Sequence, residues 1–240
     1  ISGTITVINT PVSGWSLVTN AADASLGRAI ELDVAYRQRQ VAELAQRGSG
    51  TVPAVRAALL EIEGVIEAKV FENTSNVLDA EGLPPHSMMA LVWDGTTLAV
   101  ANNVIAKALL ANKGGGIAFV GTLSGTATDV DGGVQTMSFS RATQRNVYID
   151  ITVQQDPDGP AIVADDVKAK IVAKQSILKI GTDVIALALR AAALASSGVL
   201  DVSVFELGFS AAPSGTSNLV ISTKDIAILN TGDITVTVIS

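Results

Sequence analysis

The chain has 240 residues, 48% hydrophobic, 16% charged and only 4% aromatic, too apolar for disorder and long enough for two compact domains whose cores are filled by Val, Ile, Leu and Ala. Sixteen basic against 23 acidic residues give a net charge of −7, the wrong sign for holding a phosphate backbone, so no nucleic-acid partner is expected. The absence of cysteine excludes disulfides, thiolate metal sites and a cysteine nucleophile, and no apolar run approaches the roughly 20 residues that cross a bilayer, so no membrane insertion is expected.

The chain starts at Ile1 without a secretion-signal pattern, and Thr4 to Ile8 reads as a strand already in progress. The expectation is the end of an upstream β region whose beginning is missing, with a linker, over residues 1–30. From Asp33 to Arg47 the apolar Val34, Val41, Leu44 and Ala45 share one helical face. A second helix is expected from Thr51, an N-cap, with Pro53 in its first turn, a stripe of Val55, Leu59 and Ile62, and Gly64 as its stop. Strands follow over Val65 to Glu72 and Ser87 to Trp93, the latter nearly all apolar as if covered on both faces. Leu98, Ala101, Ile105, Ala108 and Leu109 place a third helix, ended by Gly114 to Gly116. Ile117 to Leu123 and Val134 to Ser140 read as strands of a hairpin turning at Asp131, Gly132 and Gly133.

In the last hundred residues, Val147, Ile149, Ile151 and Val153 alternate with polar residues in a half-buried strand over Arg145 to Gln154. After a turn at Asp156 to Pro160, helices are expected over Ile162 to Ile180 and Asp183 to Ala195. The second has so few charges that it should be buried nearly all round or packed on another subunit. Strands over Val199 to Leu207, Asn218 to Ser222 and Ile234 to Ile239 finish the chain. The halves look related: Gly50 and Thr51 recur as Gly181 and Thr182, an offset of 131. Gly64 and Val65 recur as Gly198 and Val199, and Val70, Phe71 and Glu72 as Val204, Phe205 and Glu206, both at 134, which places a three-residue insertion between the second helix and its strand. The fold class expected is α+β: two related helix-helix-strand modules on small mixed sheets, plus a β-hairpin, with domains over 31–143 and 144–240.

Chemistry-bearing constellations are few. His86 is the one histidine, so no histidine cluster can bind a metal, and its place after two prolines suits packing or hydrogen bonding better than general-base work. Asp129, Asp131 and Gly132 resemble part of a calcium loop, but a third oxygen ligand and the closing glutamate are missing, and a hairpin turn explains them better. Gly114 to Gly116 precede a strand and lack a following Lys-Ser or Lys-Thr, which excludes a P-loop. The order of Ser13, Gly14, Trp15 and Ser16 is no nucleophile elbow, and Trp15 reads as a core or interface anchor. The basic residues Arg28, Arg37, Arg39 and Arg47, and Lys168, Lys170, Lys174 and Lys179, read as solvated helix faces, with ion pairs to acidic neighbours as the alternative. No catalytic, metal or cofactor-binding residue is expected. The apolar Val184, Leu187 and Leu194, and the strand residues Ile234, Val236 and Val238, are candidates for self-association, because an uncharged free strand edge tends to be covered or paired.

The segment Gly82, Leu83, Pro84, Pro85, His86, Ser87 between an acidic loop and an apolar strand resembles one recurring in the baseplate J family of contractile phage tails. Further similarities come in the same order: Pro11 to Trp15; Asn20, Gly27, Arg28, Glu31, Arg37 and Arg39; Gly50 and Thr51; Gly64 and Val65; Glu72 and Asn73; Asp129 with Gly132 or Gly133; then Phe139 and Arg141. What the resemblance implies is a non-enzymatic wedge subunit in the ring around the tail hub of a phage or phage-like contractile injection system. It would be made in the host cytoplasm and bind copies of itself, other wedge and hub proteins and fibre-attachment proteins. A carbohydrate-binding or adhesin-like module and a hydrolase using carboxylates alone are the alternatives; the few aromatics weigh against the first, and the scatter of acids over turns and helix surfaces against the second.

Overall fold

The structure, a computed structural model, describes residues 3–10, 13–21, 33, 36, 37, 40, 50–95 and 100–240. It falls into two units, Ile1–Val41 and Ala42–Ser240. In the first unit, residues 4–8 form no strand; instead the backbone N–H of Gly3 donates to Asn20 O at 2.9 Å and that of Ile5 to Asn20 Oδ1 at 3.0 Å. Trp15 is 66% exposed, so it is not a core residue of the described structure. The helix expected over Asp33 to Arg47 lies mostly outside the described residues. Asp33, Tyr36, Arg37 and Gln40 are helical, with an exposed ion pair of 2.8 Å between Arg37 Nε and Asp33 Oδ2.

The second unit is α+β. Helix α1 (Val52–Leu60) starts where Thr51 Oγ1 accepts the Ala54 N–H at 3.3 Å, satisfying an amide that has no partner within the helix. It buries Val55 and Leu59 and ends at Leu60, before Gly64. Strands β1 (Glu67–Asn73) and β2 (Ser87–Trp93) are antiparallel, and every residue of β2 is buried. The cause is its central position: β1 lies on one side, while β3 (Ala118–Phe119) and β5 (Val134–Arg141) run parallel to it on the other. Helix α2 (Asn102–Ala111) adds Ile105 and Leu109 to a core with Val55, Leu59, Met88, Ala90, Val92 and Phe139. The single strand expected over Ile117 to Leu123 is two: β3 pairs with β2, and β4 (Leu123–Thr128) forms the hairpin with β5. The chain divides near Gly121, where a Cβ would stand 2.1 Å from Phe139 O, so only glycine lets the backbones pass.

In the rest of the unit the strand expected from Arg145 is also divided. Strand β6 (Thr143–Asn146) pairs with β9 (Asp225–Ile228), Val147 N donates to Ile228 O at 3.0 Å, and β7 (Tyr148–Gln155) joins a second sheet. There β7 lies between β8 (Val199–Gly208), antiparallel to it, and β10 (Ile234–Ile239), parallel to it. Helix α3 (Ala164–Val172) passes into a 3₁₀ turn over Ala173–Ile177, so the regular helix is shorter than expected. Helix α4 (Ala186–Leu194) follows and is buried along one face only, through Ala186, Leu189, Ala192 and Ala193. Residues 218–222 form no strand. The Asn218 side chain caps α4 by accepting Ala186 N–H, and Asp183 accepts Ile221 N–H, leaving one bridge between Val184 and Leu219.

Two cores result, one from residues 55–139 and one from 147–234. A third cluster of Leu91, Trp93, Ala142, Ile180, Ile226 and Ile228, with Phe71 against it, joins them.

The internal likeness is visible in three dimensions at a single offset of 134. Helix α1 maps onto α4, Val55 and Leu59 onto the equally buried Leu189 and Ala193, and Gly64 (φ +95°) onto Gly198 (φ +79°). The insertion therefore falls before the second helix and not after it. One bond repeats as well: Arg56 Nε donates to Ala68 O at 2.8 Å, and Arg190 donates to Val202 O. The repeated triplet does not share a face, because the β7–β8 ladder slips between Thr152 and Val153 and β8 gains one residue. Phe205 consequently points into the 147–234 core, whereas Phe71 packs on the joining cluster.

At Gly198 a Cβ would lie 2.0 Å from Pro160 O as well as facing a positive φ, while at Gly132 (φ +86°) the space is open. Gly198→Ala is expected to cost more than about 3 kcal/mol and Gly132→Ala about 1 kcal/mol, read from urea midpoints.

Candidate functional site

Of the residues that carry the family resemblance, Asn73, Leu83, Pro84, Ser87 and Arg141 take part in two hydrogen-bonded knots, while Pro11, Gly27, Arg28, Glu31 and Arg39 lie outside the described residues. The first is built on Asn73, the buried last residue of β1. Its amide nitrogen donates to Val77 O (2.7 Å), Leu83 O (2.8 Å) and Pro84 O (3.1 Å), and its Oδ1 accepts from the N–H and hydroxyl of Ser75. One side chain thus satisfies backbone groups along the whole loop to β2, which forms no ladder of its own. Asp79 Oδ1 accepts the Glu81 and Leu83 N–H groups, and Ser87 Oγ donates to Pro84 O at 2.7 Å. Leu83 is the apolar plug of the loop and is fully buried. His86 has φ +52° and lies exposed with Nε2 2.8 Å from Asn76 Oδ1, a loop contact with no catalytic partner beside it. Gly82 turns the chain at φ +77° ahead of the two prolines, and Glu72 points to solvent.

The loop also grips the second half of the chain. Glu81 Oε2 accepts from Thr223 Oγ1 at 2.9 Å, and Glu81 O accepts from Lys224 Nζ. Nearby, Glu67 is 6% exposed and paired with Arg56 at 2.9 Å and with Lys179 at 3.2 Å. Of the lysines on the expected helix face, Lys179 therefore takes the ion-pair reading and reaches across from the other module.

The second knot is Arg141 at the end of β5. Its Nε lies 3.1 Å from Asp94 Oδ2, its other nitrogens donate to Asn102 Oδ1 (3.2 Å) and Val100 O (2.6 Å), and its guanidinium sits 5.6 Å from the centre of the Phe139 ring. Asp94 in turn accepts Val100 N–H at 2.7 Å. Arginine is suited to this position because its planar fork serves three acceptors at once. Gly50 and Gly64 are close-packing positions: a Cβ on Gly50 would be 3.1 Å from the Gly114 Cα, and one on Gly64 3.0 Å from Val100. Asp94 and Glu67 carry no motif in the sequence, whereas Arg56 has a counterpart, Arg190, at offset 134.

The hairpin acids form a turn. Asp129 accepts N–H groups from Asp131 and Gly133 and the Gln135 amide, and no group of three or more candidate metal ligands occurs among the described residues. Gly114 adjoins Gly50, and Gly114 to Gly116 lead into β3, with Ile117 N donating back to Gly114 O. Of the expected interface residues, Val184 (0% exposed) and Ile234 (2%) belong to the core, a correction that follows from Val184 bridging Leu219 and Ile234 facing Ile149. Val236 is half-buried, while Leu187 (73%), Leu194 (45%) and Val238 (44%) are exposed. Leu187 and Leu194 are two turns apart on one face of α4.

No protein-family model matches the sequence, and no curated protein matches it. Among solved structures, a chain in the "Cryo-EM structure of the anti-feeding prophage (AFP) baseplate, 6-fold symmetrised" is similar, with a TM-score of 0.45 and 16% identity over 91% of this chain. This chain spans 46% of that one, a little under half its length.

Two outcomes follow. Asn73→Ala removes the donor that Val77 O, Leu83 O and Pro84 O share, leaving each with one remaining tie from Ser75 Oγ, Asp79 N–H or Ser87 Oγ, and should cost about 1 to 2 kcal/mol, with hydrogen exchange accelerated first in residues 75–86. The Gln135 amide, then the Gly133 N–H, hold the Asp129 carboxyl below the usual carboxylate range. Its contribution to hairpin order is present above the unfolded carboxylate value and is lost as pH falls through the lower folded one. An NMR titration should show that depressed midpoint in the wild type, and Gln135→Ala should move it upward.

Proposed function

We propose that this chain is a structural subunit of the baseplate of a contractile phage tail or phage-like injection system, acting as a wedge in the ring around the tail hub. The observation that carries the reading is the use made of the shared residues. Leu83, Pro84, Ser87, Asn73 and Arg141 hold loops and strands against one another through buried and part-buried hydrogen bonds, so their polar atoms are spent within the fold. This is what the resemblance to the baseplate J family requires of a part that bears load. The Glu81 contacts of the Asn73 loop and the Glu67–Lys179 pair tie the two cores together, and the Arg141 knot stiffens the first, as a subunit transmitting force between neighbours needs.

Its partners in this reading are other copies of itself, wedge and hub proteins and fibre-attachment proteins, met within the virion tail after synthesis in the host cytoplasm. The exposed Leu187 and Leu194 of α4 are surfaces for such contacts. Co-expression with the baseplate and hub proteins of a contractile tail, followed by affinity capture and electron microscopy, tests the proposal. The expected result is a stable complex that includes this chain and closes into rings. Baseplates that assemble fully without it, with no capture of any tail protein, would overturn the reading.

A further inference from the structure

Among the described residues, the sheet edges of this fold are defended with one exception. The outer edge of β4 is tied to α2, with Asn102 Nδ2 donating to Ser124 O at 3.1 Å and Thr126 N donating to Asn103 Oδ1 at 2.9 Å. The β9 edge is held by Gln175, whose amide donates to Ala227 O (2.9 Å) and accepts Leu229 N–H (2.7 Å). Along β8, Arg190 occupies Val202 O, and Gly215 O takes Leu207 N–H at 2.7 Å. Strand β1 carries the charges of Glu67, Lys69 and Glu72, and β6 has four residues, one of them Arg145. Charge, shortness and side-chain cover are the usual devices against edge-to-edge pairing.

Strand β10 has none of them. It is the outer strand of its sheet, bonded to β7 on one side. Among the described residues no hydrogen bond reaches its other side. Its six residues, Ile-Thr-Val-Thr-Val-Ile, contain no charge and no proline, and the ladder to β7 runs without a slip. Thr235, Thr237, Val238 and Ile239 are exposed.

We propose that β10 pairs antiparallel with β10 of a second copy, about a two-fold axis at Thr237, joining two three-stranded sheets into one of six. A second copy fits because the sequence of this edge is self-complementary. Antiparallel self-pairing about Thr237 sets Thr237 against its counterpart, Val236 against Val238 and Thr235 against Ile239, and brings no charges together, whereas β1 carries three charged side chains. The inference deepens the assembly reading by naming the contact through which two copies meet.

Because the chain has no cysteine, a single introduced one reports unambiguously. In antiparallel pairing, residues beside the axis have Cα atoms about 4.5 to 5.5 Å apart, within the span of a disulfide. The full chain is expected to sediment as a concentration-dependent dimer, and Thr237→Cys to cross-link in mild oxidant much faster than Thr128→Cys on β4. Thr237→Lys, which opposes two cations across the axis, should weaken the dimer about tenfold or more with an unchanged circular dichroism spectrum and melting temperature. Thr237→Val should keep the dimer. A monomer at every concentration, a dimer indifferent to Thr237→Lys, or cross-linking no faster than in the β4 control would each overturn the pairing. Protection of the β10 amides only when a different protein is added would also overturn it. The two readings fail separately: a chain captured with tail proteins but not pairing through β10 sinks this inference alone, and a β10 dimer captured with no tail protein sinks the baseplate reading alone.

Discussion

Glu67 stands where the two cores of the second unit meet, and the arrangement of that unit depends on how its charge is met. A carboxylate 6% exposed would be costly if unpaired; here Arg56 of α1 approaches from its own module and Lys179 from the other. Apolar contacts among Leu91, Trp93, Ile180, Ile226 and Ile228 supply the non-directional part of the same joint. The charged triad adds direction, because only one relative placement of the modules brings both cations to the one acid. Such a pair contributes specificity more surely than stability.

Around that joint the fold repeats one device, a single polar side chain that completes the hydrogen bonding of irregular backbone. Asn73 does so for the loop before β2, Gln175 for the edge of β9, Arg141 for the chain between β2 and α2, and Asn218 for the first turn of α4. A chain with few aromatics has small core side chains and little shape to pin its loops, so these fans of donors and acceptors take over that role. Asn73 and Arg141, residues with the look of a motif, spend their polar atoms on these internal bonds.

The doubled module shows how one local plan meets two environments. Both copies set a left-handed glycine between helix and strand, and both use an arginine of the helix to bind a carbonyl of the strand. The slip in the β8 ladder then turns the second Phe inward, so the same three letters serve a joint in one module and a core in the other. Open backbone is left at β10, on the side of the second sheet away from the rest of its ladder.

Much of the local structure was legible in the letters. Thr51 as a cap, the alternation of Val147 to Val153, the uninterrupted apolar run of β2 and the Asp-Gly turn each reflect nearest-neighbour physics: who bonds to an end amide, which face is wet, which residue tolerates a positive φ. Helix ends were less legible, as at Leu60 and in the shortened α3, because tertiary contacts decide where the last turn loosens. The sequence by itself determined the α+β class, the periods and most of the turns. Only the tertiary structure decided that Val184 and Ile234 are core, that Asn73 and not His86 organises the loop, and that β10 is the undefended edge. Those facts depend on partners distant in the chain, Leu219 for Val184, Ile149 for Ile234 and Pro84 for Asn73, and no periodicity within one segment encodes which distant segment will come to lie beside it.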